Sequence, residues 1–375
     1  MVQWTNGITS FYQGDCREVL AELPAESVQC VVTSPPYWGL RDYGTSTWEG
    51  GNEECDHAPD RNSPSSKLEG GKTTQGMAKI FKEVCLSCGA KRIDNQLGLE
   101  PTPDAYVANM VEVFRGVRRV LRDDGTVWLN LGDSYAGSGK GQMGDGTHSR
   151  EHGTKQGTSK GTLVGGLPTH YDGIKPKDLV GIPWRVAFAL QADGWYLRSD
   201  IIWTKPNPMP ESVTDRPTKS HEYIFLLTKN AHYYYDADAI REPHLPVTME
   251  RIKHGLKHKH PDNIGVGIPP VDTTEMGDRF AHTGGRNKRD VWEITVQGYS
   301  EAHFATFPEA LVKPCILAGT KEQDTVLDPF AGSGTVMQVA QGFGRNSIGV
   351  ELNDEYIGLA VKRLERIPLP MKGII

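Results

Sequence analysis

The sequence predicts an α/β fold, a parallel sheet with helices on both faces. Three observations lead there. Short β-branched runs alternate with stretches of helical periodicity. One such run ends in a glycine-rich turn that opens straight into a helical pattern. Another ends in a Pro-Pro turn.

In chain order, Val28 to Thr33 (VQCVVT) reads as a short buried strand. The clearest helix begins at Thr102, a good N-cap, with Pro103 in the first turn and Asp104 after it. Tyr106, Met110, Val113, Val117 and Leu121 recur at helical spacing, and Asp123-Asp124-Gly125 is the expected stop. Thr126 to Leu131 (TVWLNL) reads as a strand, as do Arg198 to Trp203, Tyr223 to Thr228, Thr325 to Leu327 and Ser347 to Val350. Four segments are poor in core-forming residues: Asn62 to Gly76, the glycine-rich Ser134 to His170, the proline-rich Lys205 to Ser220, and His244 to Arg289. Such segments bury too little apolar surface to offset ordering entropy, so they read as surface insertions or functional loops. For Ser134 to His170 the alternative is a flap that orders over a ligand.

Composition sets limits. The 375 residues suggest two or three structural units at about 150 residues each. A 37% hydrophobic content suits a soluble globular chain. No apolar run approaches the ~18 residues of a membrane span, and the start lacks the basic-then-apolar pattern of a leader. Six cysteines are too few for a disulfide scaffold and fit a reducing cytoplasm. With 41 basic against 47 acidic residues the net charge is −6, which by itself argues mildly against a nucleic-acid partner. Phosphate attraction, however, follows local charge at a docked surface rather than the sum.

Two strings carry chemistry. Residues 324–335 read DTVLDPFAGSGT: a short strand ends at Asp328, then Gly332 and Gly334 lead into a helix. Glycines there let backbone approach a ligand at the strand's C-terminal end. The spacing is neither G-x-G-x-x-G nor a phosphate-cradling loop, and the next strand closes on Glu351, placed to hold ribose hydroxyls. The second string, TSPPYW at 33–38, follows the VQCVV strand. Its prolines fix φ and remove two N–H donors, so the carbonyls of Ser34 and Pro35 can face a cleft. With the Ser34 hydroxyl they can accept from an exocyclic amine while Tyr37 stacks on the base that carries it.

Together SPPY and DPFAGSGT resemble the catalytic and cofactor motifs of DNA amino-methyltransferases, the N4-cytosine and N6-adenine family. The catalytic motif comes first, which resembles the circularly permuted β-class. The resemblance implies a Rossmann-like S-adenosylmethionine-dependent methyltransferase sheet with helices on both faces. It implies catalytic roles for Ser34, Pro35, Pro36 and Tyr37. It implies cofactor contacts from Asp15, Phe307, Pro308, Asp328, Pro329, Phe330, Gly332, Gly334, Thr335 and Glu351. Asp15 matches an acidic position near the cofactor adenine, and the segment HFATFPEALV (His303 to Val312) lines the methionine end. On this reading 1–50 is the first part of the catalytic domain, 51–100 an inserted loop, 101–204 the catalytic domain continued, 205–295 a target-recognition region and 296–375 the cofactor-binding part.

Family adenine enzymes more often carry Asp or Asn before Pro-Pro. Ser34 therefore favours cytosine N4, as does HFATFP, with N6-adenine as the alternative. Other readings are a catalytically silent zinc- and DNA-binding protein, and an RNA or small-molecule methyltransferase. Intact motifs and a long basic segment disfavour these. Accepting hydrogen bonds from the amine frees its lone pair for direct in-line attack on the methyl group, without a covalent intermediate. Pro314-Cys315 is followed by Ile316 in an apolar helix, so Cys315 reads as core rather than nucleophile. The base must leave the duplex to reach the pocket. Arg251 to His260, and Arg286 with Lys288 and Arg289, are the candidate phosphate contacts. The expected partner is double-stranded DNA, with a cognate restriction nuclease as a second candidate and a bacterial or phage cytoplasm as the setting.

A metal site is also expected. Cys55-x-His57 and Cys85-x-x-Cys88 flank the first polar loop and compose a Cys3His set suited to structural zinc, with Gly89 fitting a knuckle turn. The alternative is two unrelated thiol pairs.

Overall fold

The computed structural model describes residues 2–39, 46–52, 54–57, 84–93, 96–136, 173–247, 250, 285–296 and 307–367. The loop at 62–76, the insertion beyond residue 136, the basic run Arg251 to His260 and His303 to Thr306 lie outside them.

The strands are β1 (Val2–Thr5), β2 (Thr9–Gln13), β3 (Val28–Thr33), β4 (Thr47–Glu49), β5 (Lys91–Ile93), β6 (Leu121–Leu131), β7 (Tyr196–Thr204), β8 (His221–Thr228), β9 (Val291–Glu293), β10 (Thr325–Asp328) and β11 (Asn346–Glu351). The helices are α1 (Cys16–Glu22), α2 (Pro103–Val120), α3 (Ile182–Ala192), α4 (Glu309–Gly319), α5 (Thr335–Gly342) and α6 (Asp354–Leu364). All strands but β4 and β5 form one sheet, ordered β1-β2-β11-β10-β3-β6-β8-β7-β9.

Side chains alternate across the sheet, and both faces are buried. Val127, Leu129 and Leu131 of β6 pack with Val31, Leu20 of α1, Phe114 of α2 and Val186 of α3. Trp128, between them in sequence, joins Cys30, Val32, Ile316 of α4, Val336 of α5 and Ile357 of α6 on the opposite face. Each fully buried Leu or Phe contributes about 1.5–3 kcal/mol. The expected helices on both faces are therefore present, three to a side. Among the described residues no helix is long and apolar enough to cross a membrane.

The sheet is mixed rather than wholly parallel. Strands β2, β11, β10, β3 and β6 run parallel, but β8 is antiparallel to both β6 and β7. A parallel return from β7 would need a crossover, usually helical. The proline-rich 205–220 segment forms none, so the chain doubles back. Strands β8 and β9 thus belong to the central sheet although they fall inside the 205–295 region.

Helix α2 begins as expected: the Thr102 side chain accepts from the Ala105 amide at 3.1 Å. It ends at Val120, one residue before Leu121 opens β6, so the Asp-Asp-Gly stop lies inside the strand.

Candidate functional site

Strands β3 and β10 are parallel neighbours, with Val326 opposite Cys30 and Leu327 opposite Val31. The SPPY turn and the DPFAGSG turn therefore leave the same edge of the sheet side by side. Thr33 ties them together, its hydroxyl donating to Asp328 Oδ1 at 2.6 Å. Asp328 is 2% exposed, and its Oδ1 also accepts from the Phe330 amide at 3.0 Å. Burial pushes its carboxyl up to about 7, with the nearby Glu351 charge adding to the rise. Asp328 thus shapes the turn from beneath.

Above it the glycine turn divides in two. Gly334 (φ +76°) starts α5 and is packed inward: a Cβ there would lie 2.7 Å from Ala360 Cβ. Thr335 is buried, its hydroxyl accepting from Arg363 Nη1 at 3.0 Å. Gly332 (φ +50°) faces outward, with no atom within 4 Å of where a Cβ would stand. Glu351, at the end of β11, reaches over from the next strand. Its Oε2 accepts from the Gly332 amide at 2.8 Å and its Oε1 from Asn353 N at 2.9 Å. Burial raises this carboxyl too. Of the expected cofactor residues, Gly332 borders open space and Glu351 bonds to its amide, whereas Asp328, Gly334 and Thr335 hold the turn. Pro329 and Phe330 lie between, Phe330 packed against the core. Asp15 sits near the same edge, just past β2, and caps α1 by accepting from Arg17 N at 2.8 Å while pairing with the Arg17 guanidinium.

The Pro-Pro turn is held by partners that the sequence reading did not name. Asn130, at the end of β6, shares its two Nδ2 protons among the Tyr37 hydroxyl at 2.8 Å, Glu222 Oε2 at 3.0 Å and Ser34 Oγ at 3.3 Å. Tyr37 donates its hydroxyl to Glu222 Oε2 at 2.6 Å. Glu222 is paired through Oε1 with Lys205, whose ammonium also lies over the Trp203 ring at 4.3 Å. Burial first, and the Glu222 charge second, push the Tyr37 phenol well above its ordinary value, so it stays a donor. The Tyr37 ring packs on Gly132, where a Cβ would be 2.5 Å from Tyr37 Cε2. The Pro36 carbonyl turns inward and accepts from the Tyr106 hydroxyl at 2.9 Å. Among the described residues no hydrogen bond engages the carbonyls of Ser34 or Pro35.

Asn130 Oδ1 is buried and has no hydrogen-bond partner among the described residues. Beside it lies a small pocket lined by Thr33, Asn130, Trp128, Phe307, Val312 and Cys315. Phe307 thus reaches the floor of the cleft, and Pro308 starts α4. Cys315 is 1% exposed and its thiol is pushed well above its ordinary value by burial, so it is core, as expected.

Elsewhere, Arg286 and Lys288 both pair with Glu242, at 3.1 and 3.5 Å, and Lys288 lies over the Trp292 ring. Their charge is partly spent within the protein, while Arg289 is exposed. Cys55, His57, Cys85 and Cys88 do come together, their four ligand atoms all within 4.8 Å of one another.

Against known proteins, a family model described as DNA methylase matches residues 28–362. The Type II methyltransferase M.Cfr9I of Citrobacter freundii is 41% identical over 360 residues, spanning 96% of this chain and 88% of its own. M.SmaI of Serratia marcescens is 40% identical over 353 residues, spanning 94% and 89%. Among solved structures, the PvuII DNA methyltransferase, described as cytosine-N4-specific, has a TM-score of 0.54 at 17% identity, covering 96% of this chain and 88% of that one. At that identity the likeness is one of fold.

Proposed function

The chain belongs to the N6/N4 DNA methylase family, and we propose that it transfers the methyl group of S-adenosylmethionine to the exocyclic N4 amine of cytosine in duplex DNA. One observation carries the reading: the SPPY turn and the open face of Gly332 meet at one sheet edge, joined by the Thr33–Asp328 hydrogen bond.

The residues present fit the cofactor. The free space over Gly332 admits a ligand against backbone, and the Glu351 carboxylate is placed to take hydroxyl donors. The orphaned Asn130 Oδ1 and the Phe307 ring lie at the cleft floor toward Ser34. When bound, S-adenosylmethionine supplies an electrophilic methyl on a sulfonium.

The turn acts on the amine. Ser34 Oγ takes one hydrogen bond from Asn130 and keeps a lone pair free. With the carbonyls of Ser34 and Pro35 it accepts from the amine, opposing delocalisation of the nitrogen lone pair into the ring. With the cofactor bound, that lone pair would face the sulfonium methyl, which the cofactor would give up while the carbon–sulfur electron pair stays on sulfur. The proton then in excess on the nitrogen would pass to water, and no protein atom would be alkylated. Tyr37 is anchored through its hydroxyl, which fixes its ring beside the flipped base. Ser34, where family adenine enzymes more often carry Asp or Asn, favours cytosine.

The test is incubation with mixed-sequence duplex DNA and labelled cofactor, then digestion to nucleosides. N4-methyldeoxycytidine is the expected product. N6-methyldeoxyadenosine would overturn the choice of base, and absence of any methylated nucleoside would overturn the enzyme reading. Ser34→Ala lowers transfer while leaving cofactor binding intact.

A further inference from the structure

We propose that Cys55, His57, Cys85 and Cys88 hold a structural zinc ion. Its binding hairpin is mounted on the catalytic turn, and it braces that turn without touching substrate.

Two ligand–ligand distances match the edges of a tetrahedral site, and all four ligand atoms lie within 4.8 Å of one another. With Zn–S near 2.3 Å and Zn–N near 2.0–2.1 Å, tetrahedral edges come to about 3.8 Å between sulfurs and about 3.6 Å between sulfur and nitrogen. Cys55 Sγ and Cys85 Sγ are 3.8 Å apart, and Cys88 Sγ and His57 Nδ1 are 3.6 Å apart. A disulfide would need about 2.05 Å. All six cysteines are free thiols.

The backbone is shaped to the sulfurs. Residues 86–88 form a turn that closes with Gly89 N donating to Cys85 O at 2.8 Å and Cys85 N donating to Ala90 O at 2.8 Å. Gly89 has φ +76°, which a side chain would strain. The amides of Asn52 and Ala90 donate to Cys88 Sγ, and that of His57 to Cys55 Sγ. The His57 ring is stacked on Trp48 with centroids 4.5 Å apart and planes 11° apart, which fixes its orientation. Trp48 lies on β4, paired with β5 just past the second cysteine pair.

The hairpin leaves the catalytic turn and returns to it. Gly39 N donates to Gly98 O at 2.7 Å, and Trp38 Nε1 to Glu100 O at 2.9 Å. At Gly98 a Cβ would stand 3.1 Å from the Tyr37 carbonyl oxygen. Among the described residues, β4 and β5 place no side chain in the core, so a metal that crosslinks 55–57 to 85–88 would order their two-stranded sheet.

Elemental analysis of the full-length protein, purified without chelator from zinc-supplemented medium, should find one zinc per chain. Titrating the native protein with a mercurial should release that zinc in step with three thiols, a readout that needs no variant. Cys85→Ser should lose the zinc, and Cys16→Ser, outside the cluster, should keep it. Wild-type protein with reduced thiols but no stoichiometric zinc, or Cys85→Ser that retains it, would overturn the site. Zinc removal should also speed amide exchange at Gly39 while leaving β10 unchanged. Unaltered exchange at Gly39 would overturn the bracing role. None of these readouts depends on methyl transfer, so failure here is distinguishable from failure of the proposed reaction.

Discussion

Tyr37→Phe isolates what the phenol does from what the ring does. The hydroxyl donates to the Glu222 carboxylate at 2.6 Å and accepts from Asn130 at 2.8 Å. A hydrogen bond to a charged group contributes about 1.5–3 kcal/mol. Glu222 retains Lys205 and Asn130, so its carboxylate is not stranded when the phenol goes. The expected cost is therefore at the lower end, about 1.5–2 kcal/mol in urea unfolding without cofactor. Freed of its anchor, the ring should position the base less well, and kcat should fall about tenfold, since about 1.4 kcal/mol is a factor of ten. Cofactor affinity should hold. A cycle with Glu222→Gln should give a coupling energy of about 1 kcal/mol or more. If Tyr37→Phe matches the wild type in stability and its effect adds to that of Glu222→Gln without coupling, the anchoring argument is refuted.

Other expectations follow from the same geometry. Asp328 keeps its proton up to about pH 7 in the folded chain, against 3.8 as its ordinary value. Across that window the folded state holds more protons than the unfolded one, so this group makes stability fall as pH rises. Asp328→Asn can keep both accepted hydrogen bonds without the charge. Its stability relative to wild type should therefore grow from about pH 5 to about pH 8 in urea titrations, and a constant gap would contradict this. Gly132→Ala places a methyl 2.5 Å from Tyr37 Cε2, and should depress methyl transfer with cofactor affinity within about twofold in equilibrium dialysis. Glu351→Gln removes the charge over Gly332, and should weaken cofactor binding about tenfold in calorimetry while DNA affinity stays level.

Legibility in the sequence followed the strength of local signals. The VQCVVT and TVWLNL strands were visible because both faces are buried, which leaves an almost unbroken apolar run. Strand β1, mostly exposed, and the three-residue β9 carry no such run. Both key turns were legible because their residues are contiguous. Glu222 was not, because its place depends on the direction of β8. Only in an antiparallel strand does its first turn of residues lie at the edge where β3, β6 and β10 end. Asn130 left a trace that could have been followed, a lone amide within the apolar TVWLNL run. The pairing of Arg286 and Lys288 with Glu242 spans more than forty residues and leaves no local mark.

The strand order has a consequence for synthesis. Strands β10 and β11 slot between β2 and β3, so the first half of the chain leaves a two-strand gap that only the last portion fills. Until then the edges of β2 and β3 stay unpaired, and the pairing that closes them is far apart in sequence, which slows folding and exposes the nascent chain to aggregation. A ribosome must pass β10, about 290 residues after β3, before the two turns can meet. A prematurely terminated product would carry one half of the site and be inert, and two fragments split between β9 and β10 could regain it only by reassembling across that gap.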